Sequence, residues 1–227
     1  MAEYSFEVYN SAAYLEELLE KEGFTVERGI GGMKTAFVGT CGSGKPVIGI
    51  LAEYDALPNM SQKAGETKPC PIEGKKYGHA CGHSALAAGT VGAAIKEGAK
   101  AEGISEEEFA KRLLITRVEP VNDRVMERQY TASTDVGDVS YIVPTTQYSG
   151  TTSIPETGLH TWQFAAQVGT SIGDKGSIAV ARAIERACAE VWENPEAVNT
   201  AKEELLEATG GVYVFPIPDG IKPGDGM

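Results

Sequence analysis

Apolar residues at Ala12, Leu15, Leu18 and Leu19 recur at helical spacing, which predicts an amphipathic helix from Ala12 to about Glu22. Ser11 stands where a cap is wanted and Gly23 where a helix stops. The period then changes. Phe24–Ile30, Thr35–Gly39 and Pro46–Leu51 read as strands, separated by the Gly31-Gly32 and Gly42-Ser43-Gly44 turns. Val47–Leu51 is continuously apolar, as a central strand covered on both faces would be. It runs into Ala52-Glu53-Tyr54-Asp55-Ala56-Leu57-Pro58, so carboxylates follow the strand's C-terminal end, where open α/β sheets bind ligands.

A polar loop from Asn59 to Tyr77 leads to an Ala- and Gly-rich helix, Ser84 to about Glu97, whose small side chains permit close packing. The stretch Lys96–Gly103 reads as a break or linker. Ser105 to Glu108 carries a capping-box pattern, so Glu106-Glu107-Glu108 is a helix start rather than a catalytic pair. Leu113–Val118 could be a strand leading into Glu119. Asp135-Val136-Gly137-Asp138 forms a polar turn before the apolar run Val139–Val143. A long amphipathic helix is predicted from about Lys175 to Trp192, punctuated by Asn194-Pro195, with another reaching about Ala208. Val212–Phe215 is a final strand candidate. Alternating strands and helices predict one α/β domain over residues 1–227, three-layered, with a mixed central sheet and helices on both faces.

Charge narrows the partners. With Lys+Arg at 20 against Asp+Glu at 32 the net charge is -12, which argues against nucleic acid, whose affinity rests on cations neutralising phosphates. No run approaches the roughly 18–20 apolar residues of a membrane span, and Met1 to Ser5 lacks the basic start of a secretory signal. Cys41, Cys70, Cys81 and Cys188 lack zinc-ribbon or redox spacing. A cytoplasmic chain without disulfides is the expectation.

The candidate chemistry lies in Gly78-His79-Ala80-Cys81-Gly82-His83, which holds two of the three histidines. Thiolate and imidazole bind borderline-soft divalent metals, zinc above all. The third histidine stands far downstream in Thr157-Gly158-Leu159-His160-Thr161-Trp162. Isolated, such residues are more often a solvated histidine and a small buried cysteine. The flanking sequence favours metal.

Ala52–Pro58 followed by Gly78–His83 resembles the dinuclear-metal aminoacylase and carboxypeptidase superfamily, within it the amidohydrolase branch that includes hippurate and auxin-conjugate hydrolases. Ser133-Thr134-Asp135-Val136-Gly137-Asp138-Val139-Ser140, Gly158–Gln163 and Phe215-Pro216-Ile217-Pro218-Asp219 are similar to the aroyl-glutamate hydrolases of that branch. The resemblance runs from about Ser11 to about Lys222, apart from a joint near residues 98–104. It implies Cys81, His83 and His160 as metal ligands, and Asp55 as the catalytic-site aspartate that orients a metal-binding group. Asp135 and Asp138 would support the site or the substrate pocket. The implied reaction is metal-dependent cleavage of the amide bond in a small N-acyl or N-aroyl amino acid.

Where the pattern departs, it does so after His83. The Glu-Glu pair that supplies the base and a ligand, a further ligand histidine and the inserted lid domain are not recognisable. Val118-Glu119-Pro120-Val121-Asn122-Asp123 resembles the segment that rejoins the catalytic domain after the lid. The chain therefore reads as a catalytic domain with an internal deletion, cut near Gly98 and resealed near Ser105, with the lid absent. One zinc or manganese ion is expected rather than two, with activity reduced or lost. A non-catalytic metal-binding or protein-interaction module and a purely structural Cys81–His83 turn stay open beside it, as does a homo- or hetero-oligomer.

Overall fold

A computed structural model describes residues 1–101, 134–154, 157–218 and 220–222. The Glu106–Glu108 helix start, the Leu113–Val118 strand, Glu119 and Ser133 lie outside the described residues. What is described is a mixed fold of helices and small sheets. Helix α1 (Tyr9–Lys21) leads into β1 (Thr25–Arg28) and β2 (Phe37–Thr40), which pair antiparallel with Thr25 opposite Thr40 and Arg28 opposite Phe37. Two-residue strands β3 (Leu57–Pro58) and β4 (Tyr77–Gly78) close the long loop. Helix α2 (His83–Ala101) follows, then a short α3 (Val136–Ser140), α4 (Trp162–Val168), α5 (Ser171–Glu193) and α6 (Pro195–Thr209).

The helix ends obey local chemistry. Thr161, Thr170 and Asn194 cap α4, α5 and α6 by accepting the amides of Phe164, Ile172 and Ala197. Pro195 opens α6 and Gly210, in the left-handed region at φ 67°, closes it. At α1 the expected Ser11 cap is replaced. Val8 holds the N-cap position without a side-chain cap, and Glu3 reaches in instead. Its carboxylate accepts the Asn10 amide at 3.2 Å and the Ser11 amide at 2.7 Å, with Asn10 Nδ2 and Ser11 Oγ each at 2.6 Å.

Burial pushes the Glu3 acid upward, but these bonds from Ser11 and Asn10 outweigh it and hold its pKa below the ordinary 4.5. A depressed acid stabilises the fold above its unfolded value and ceases to as pH falls through the lower folded value. Glu3→Gln should therefore cost about 0.5–1 kcal/mol near neutrality, the low end for a cap because the site faces solvent. The gap between variant and native chain should close below pH 4.5. Thermal melts followed by circular dichroism at neutral and acid pH check this. An equal gap in both would remove the carboxylate charge from the account.

The core is built from small residues. Helix α2 lies along α5, with Ala87, Thr90 and Ala93 buried on one helix and Gly173, Gly176, Ser177 and Ala181 on the other. A methyl on Gly89 would stand 3.2 Å from the Ser177 carbonyl, so the backbones approach closely. The expected tight packing of the Ala/Gly-rich helix is thus found. The expected break after it is not, since Lys96 to Ala101 continues the helix.

Two strand expectations are corrected. Val47–Leu51 forms no strand, and Val47 is 84% exposed. β1 pairs with β2 and β3 with β4, and among the described residues none of them takes this run as a further neighbour. An apolar run becomes a central strand only where neighbours take its backbone groups and layers cover its faces. For the same reason no central sheet is present among the described residues. Val212–Phe215 is likewise unpaired and exposed, tethered through Tyr213, whose hydroxyl donates to Asp138 at 2.6 Å.

Candidate functional site

Pairing of β3 with β4 sets Leu57 opposite Gly78 and so lays the Glu53–Asp55 segment beside the His79–His83 turn. Within that turn Gly82 has φ 91°, and a side chain there would press on the Phe164 ring at 3.3 Å. Glycine is what lets Cys81 and His83 leave the turn in different directions while α4 packs against it.

His83, the first residue of α2, is held between two carboxylates. Its Nδ1 lies 2.5 Å from Asp55 Oδ1 and its Nε2 3.1 Å from Glu53 Oε2. Each carboxylate is fixed through its other oxygen. Ser5 Oγ donates to Asp55 Oδ2 at 2.6 Å, and Thr134 Oγ1 donates to Glu53 Oε1 at 2.7 Å. The Asp55 bond raises the His83 pKa and outweighs burial, with the charges of Asp55 and Glu53 adding to it. In turn His83 holds the Asp55 acid below its ordinary range against the opposing effect of burial, helped by Ser5. Acceptors at both ring nitrogens call for the imidazolium, which has two N–H donors and no lone pair to give a metal.

The second pair comes from the far end of the chain. His160 Nε2 lies 3.3 Å from Cys81 Sγ, although 79 positions separate them. The contact is set by the backbone: His160 N–H donates to the Ala80 carbonyl at 2.7 Å, with His160 at φ 61°. That left-handed conformation costs an L-residue about 1–2 kcal/mol, which the Ala80 bond and the Thr161 cap offset. Burial pushes the Cys81 thiol up, and Asp55 and Glu53 push it further. It is therefore a thiol rather than the nucleophilic thiolate in this arrangement. The same negative surroundings favour a cation, which would reverse that shift.

The structure thus brings Cys81 to His160, and His83 to Asp55. Two ligands of one tetrahedral zinc, bonded at about 2.3 Å to sulfur and 2.0–2.1 Å to nitrogen, stand about 3.5 Å apart. The Cys81–His160 separation fits that. The third expected donor, His83, is turned to Asp55 and Glu53 instead, and its 3.1 Å separation from Glu53 Oε2 is likewise one that two ligands of a common ion can show. Among the described residues no group of three or more His, Cys, Asp or Glu side chains is arranged to hold a metal ion. Asp138 bonds Tyr213, and Asp135 stands at the start of α3.

Sequence reasoning gave no role to Ser5 or Thr134, and it counted Glu53 only among the carboxylates that follow the Val47–Leu51 run. For Glu53 a signal existed: it stands two positions from Asp55, and alternate residues of an extended segment face one side. For Ser5 and Thr134, distant in sequence from their partners, there was none.

Over 90 residues, 40% of the chain, it is 46% identical to a subunit of the p-aminobenzoyl-glutamate hydrolase of Escherichia coli (strain K12), covering 19% of that protein. Over 96 residues, again 40% of the chain, it is 35% identical to thermostable carboxypeptidases 2 and 1 of Saccharolobus solfataricus, covering 23% of each. The chain spans about a fifth of the length of the curated relatives it matches. The matched 40% is less of the chain than the motif resemblance from about Ser11 to about Lys222. No protein-family model matches it. No solved structure matches it. No helix among the described residues is long and apolar enough to cross a membrane.

Proposed function

We propose that this chain, a partial relative of the p-aminobenzoyl-glutamate hydrolase subunit and the thermostable carboxypeptidases, is a metal-dependent hydrolase of amide bonds in N-acyl or N-aroyl amino acids, with reduced activity. The observation that carries the reading is the meeting of Cys81 and His160 at 3.3 Å beside the acidic pair Glu53 and Asp55. On this reading Cys81, His83 and His160 are ligands of one zinc or manganese ion, and Asp55 orients His83. The ion, when bound, supplies polarisation of the substrate's amide carbonyl. What the chain supplies is placement: Ser5 fixes Asp55, Thr134 fixes Glu53, and the Ala80 carbonyl fixes His160. Residues 1–227 are then one catalytic-type domain lacking the lid and the Glu-Glu segment, in the cytoplasm, with a partner chain as one source of the missing base.

A second reading has its own observation. His83 is engaged by carboxylates on both nitrogens, and as the imidazolium it has no lone pair for a metal. This favours a non-catalytic module that binds metal weakly or contacts another protein. Metal content of the purified chain, measured with hydrolysis of p-aminobenzoyl-glutamate, separates the two. Stoichiometric zinc or manganese with slow, chelator-sensitive turnover supports the hydrolase. Neither metal nor turnover would overturn it and leave the module.

A further inference from the structure

A cleft of about 390 Å³ opens beside His160, between the Asn59–Pro71 loop and the start of α4. That volume falls within the roughly 300–1,000 Å³ usual for small-molecule sites. We propose that it receives the uncharged aromatic acyl group of the substrate, and that Trp162, Met60, Pro69 and Pro71 set this preference. The proposal deepens the hydrolase reading and rests on it for the identity of the ligand.

Three observations carry it. The first is that, among the described residues, no Lys, Arg, Asp or Glu lines the cleft. Away from the ion expected at the Cys81–His160 pair, the carboxylates of a glutamate moiety would find no lining Lys or Arg to pair with, and covering an unpaired carboxylate is unfavourable. A neutral ring meets no such penalty.

The second is that much of the polar lining is already engaged. The Gln62 amide accepts the Cys70 N–H at 2.8 Å and donates to the Lys63 and Lys68 carbonyls at 3.2 and 3.1 Å. Ser61 Oγ accepts the Ile72 amide at 3.1 Å, and Thr161 Oγ1 is committed to the Gly158 carbonyl and the Phe164 amide. Such groups shape the wall without demanding a polar ligand. The amides of Asn59 and Gln163 stand at exposed positions of the lining, and indole, thioether and two pyrrolidine rings make up the rest beside His160, surfaces against which an aromatic ring packs well.

The third is position. His160 lines the cleft and touches Cys81 with its ring. An amide held at that pair can place its acyl side in the cleft and its amino-acid side outside it.

The test uses the whole chain and p-aminobenzamide, a neutral aryl amide, followed by ligand-detected saturation-transfer NMR. Binding should be saturable and resist competition by free glutamate. Trp162→Ala should weaken it about tenfold, the loss typical of a buried aromatic anchor. Arg186→Gln, at an exposed position of α5 that does not line the cleft, should leave the folded chain intact and shift neutral-probe affinity by no more than about twofold. Absence of saturable transfer, displacement by glutamate, or unchanged affinity in a Trp162→Ala chain with native circular dichroism would each overturn the proposal. Failure of the hydrolase reading shows instead in metal content and turnover, which this probe does not measure.

Discussion

Zinc or manganese retained through dialysis should fall at least about tenfold when Cys81 is replaced by serine or His160 by alanine. Loss of a mere outer-shell partner already costs a metal site about 10–100-fold, so loss of one of two donors placed 3.3 Å apart must reach at least that. Asp55→Asn should fall within the 10–100-fold range, because Asp55 acts through His83. His83→Ala decides between the two readings. If His83 is a ligand, retention drops as for Cys81; if it remains an imidazolium held by Asp55 and Glu53, retention is unmoved. Elemental analysis of the purified variants supplies the measurement. Turnover of p-aminobenzoyl-glutamate should be slow throughout, since loss of a general base costs about a hundredfold to ten-thousandfold. Rapid turnover abolished by Glu119→Gln would show that a base is present after all.

The second large effect is expected at α5. A methyl added to Gly176 would collide with the Thr151 carbonyl oxygen, and backbone cannot move aside as a side-chain tip can. Gly176→Ala should destabilise the chain by about 1–2 kcal/mol. That is an overpacking cost of about 1–3 kcal/mol, reduced by the roughly 0.5–1 kcal/mol that alanine gains over glycine in a helix. Gly92→Ala has the opposite sign. Its new methyl would meet Ala181 Cβ at 3.7 Å, an ordinary contact, so the helical gain survives. Thermal melts of the two variants should bracket the native midpoint by a few degrees each way, at about 2–4 °C per kcal/mol for a chain of this size. Both midpoints moving in one direction would contradict either the close approach of Thr151 to Gly176 or the room beside Gly92.

What local sequence encodes, it encodes well. Helix α5 lies within a turn of its expected bounds, and α6 follows from Asn194-Pro195 at one end and Gly210 at the other. The β1–β2 hairpin follows from its glycine turn. Ser11 shows where this fails: a good capping residue is outcompeted by Glu3, because a carboxylate from outside the helix satisfies two amides at once. Val47–Leu51 and Val212–Phe215 fail differently. Apolarity states a need for cover, and only tertiary structure decides whether the cover is there. At the site, residue types pointed to Cys81, His83 and His160, and Cys81 meets His160. The carboxylate clamp on His83 depends on a two-residue strand pairing, β3 with β4, too short to read from pattern.

Many contacts that define this site share another property. Ser5 to Asp55 spans 50 positions, Cys81 to His160 79, and Thr134 to Glu53 81. Closing such loops costs entropy that grows with their length, by about 0.6 kcal/mol for each doubling, and contacts of this kind slow folding because the cost precedes the reward. His83 closes shorter loops, 28 positions to Asp55 and 30 to Glu53. The candidate chemistry therefore assembles only once segments 50 to 81 positions apart have come together. The Cys81–His160 contact, spanning 79 positions, is expected to form after the hairpin and the helices, whose own contacts are local.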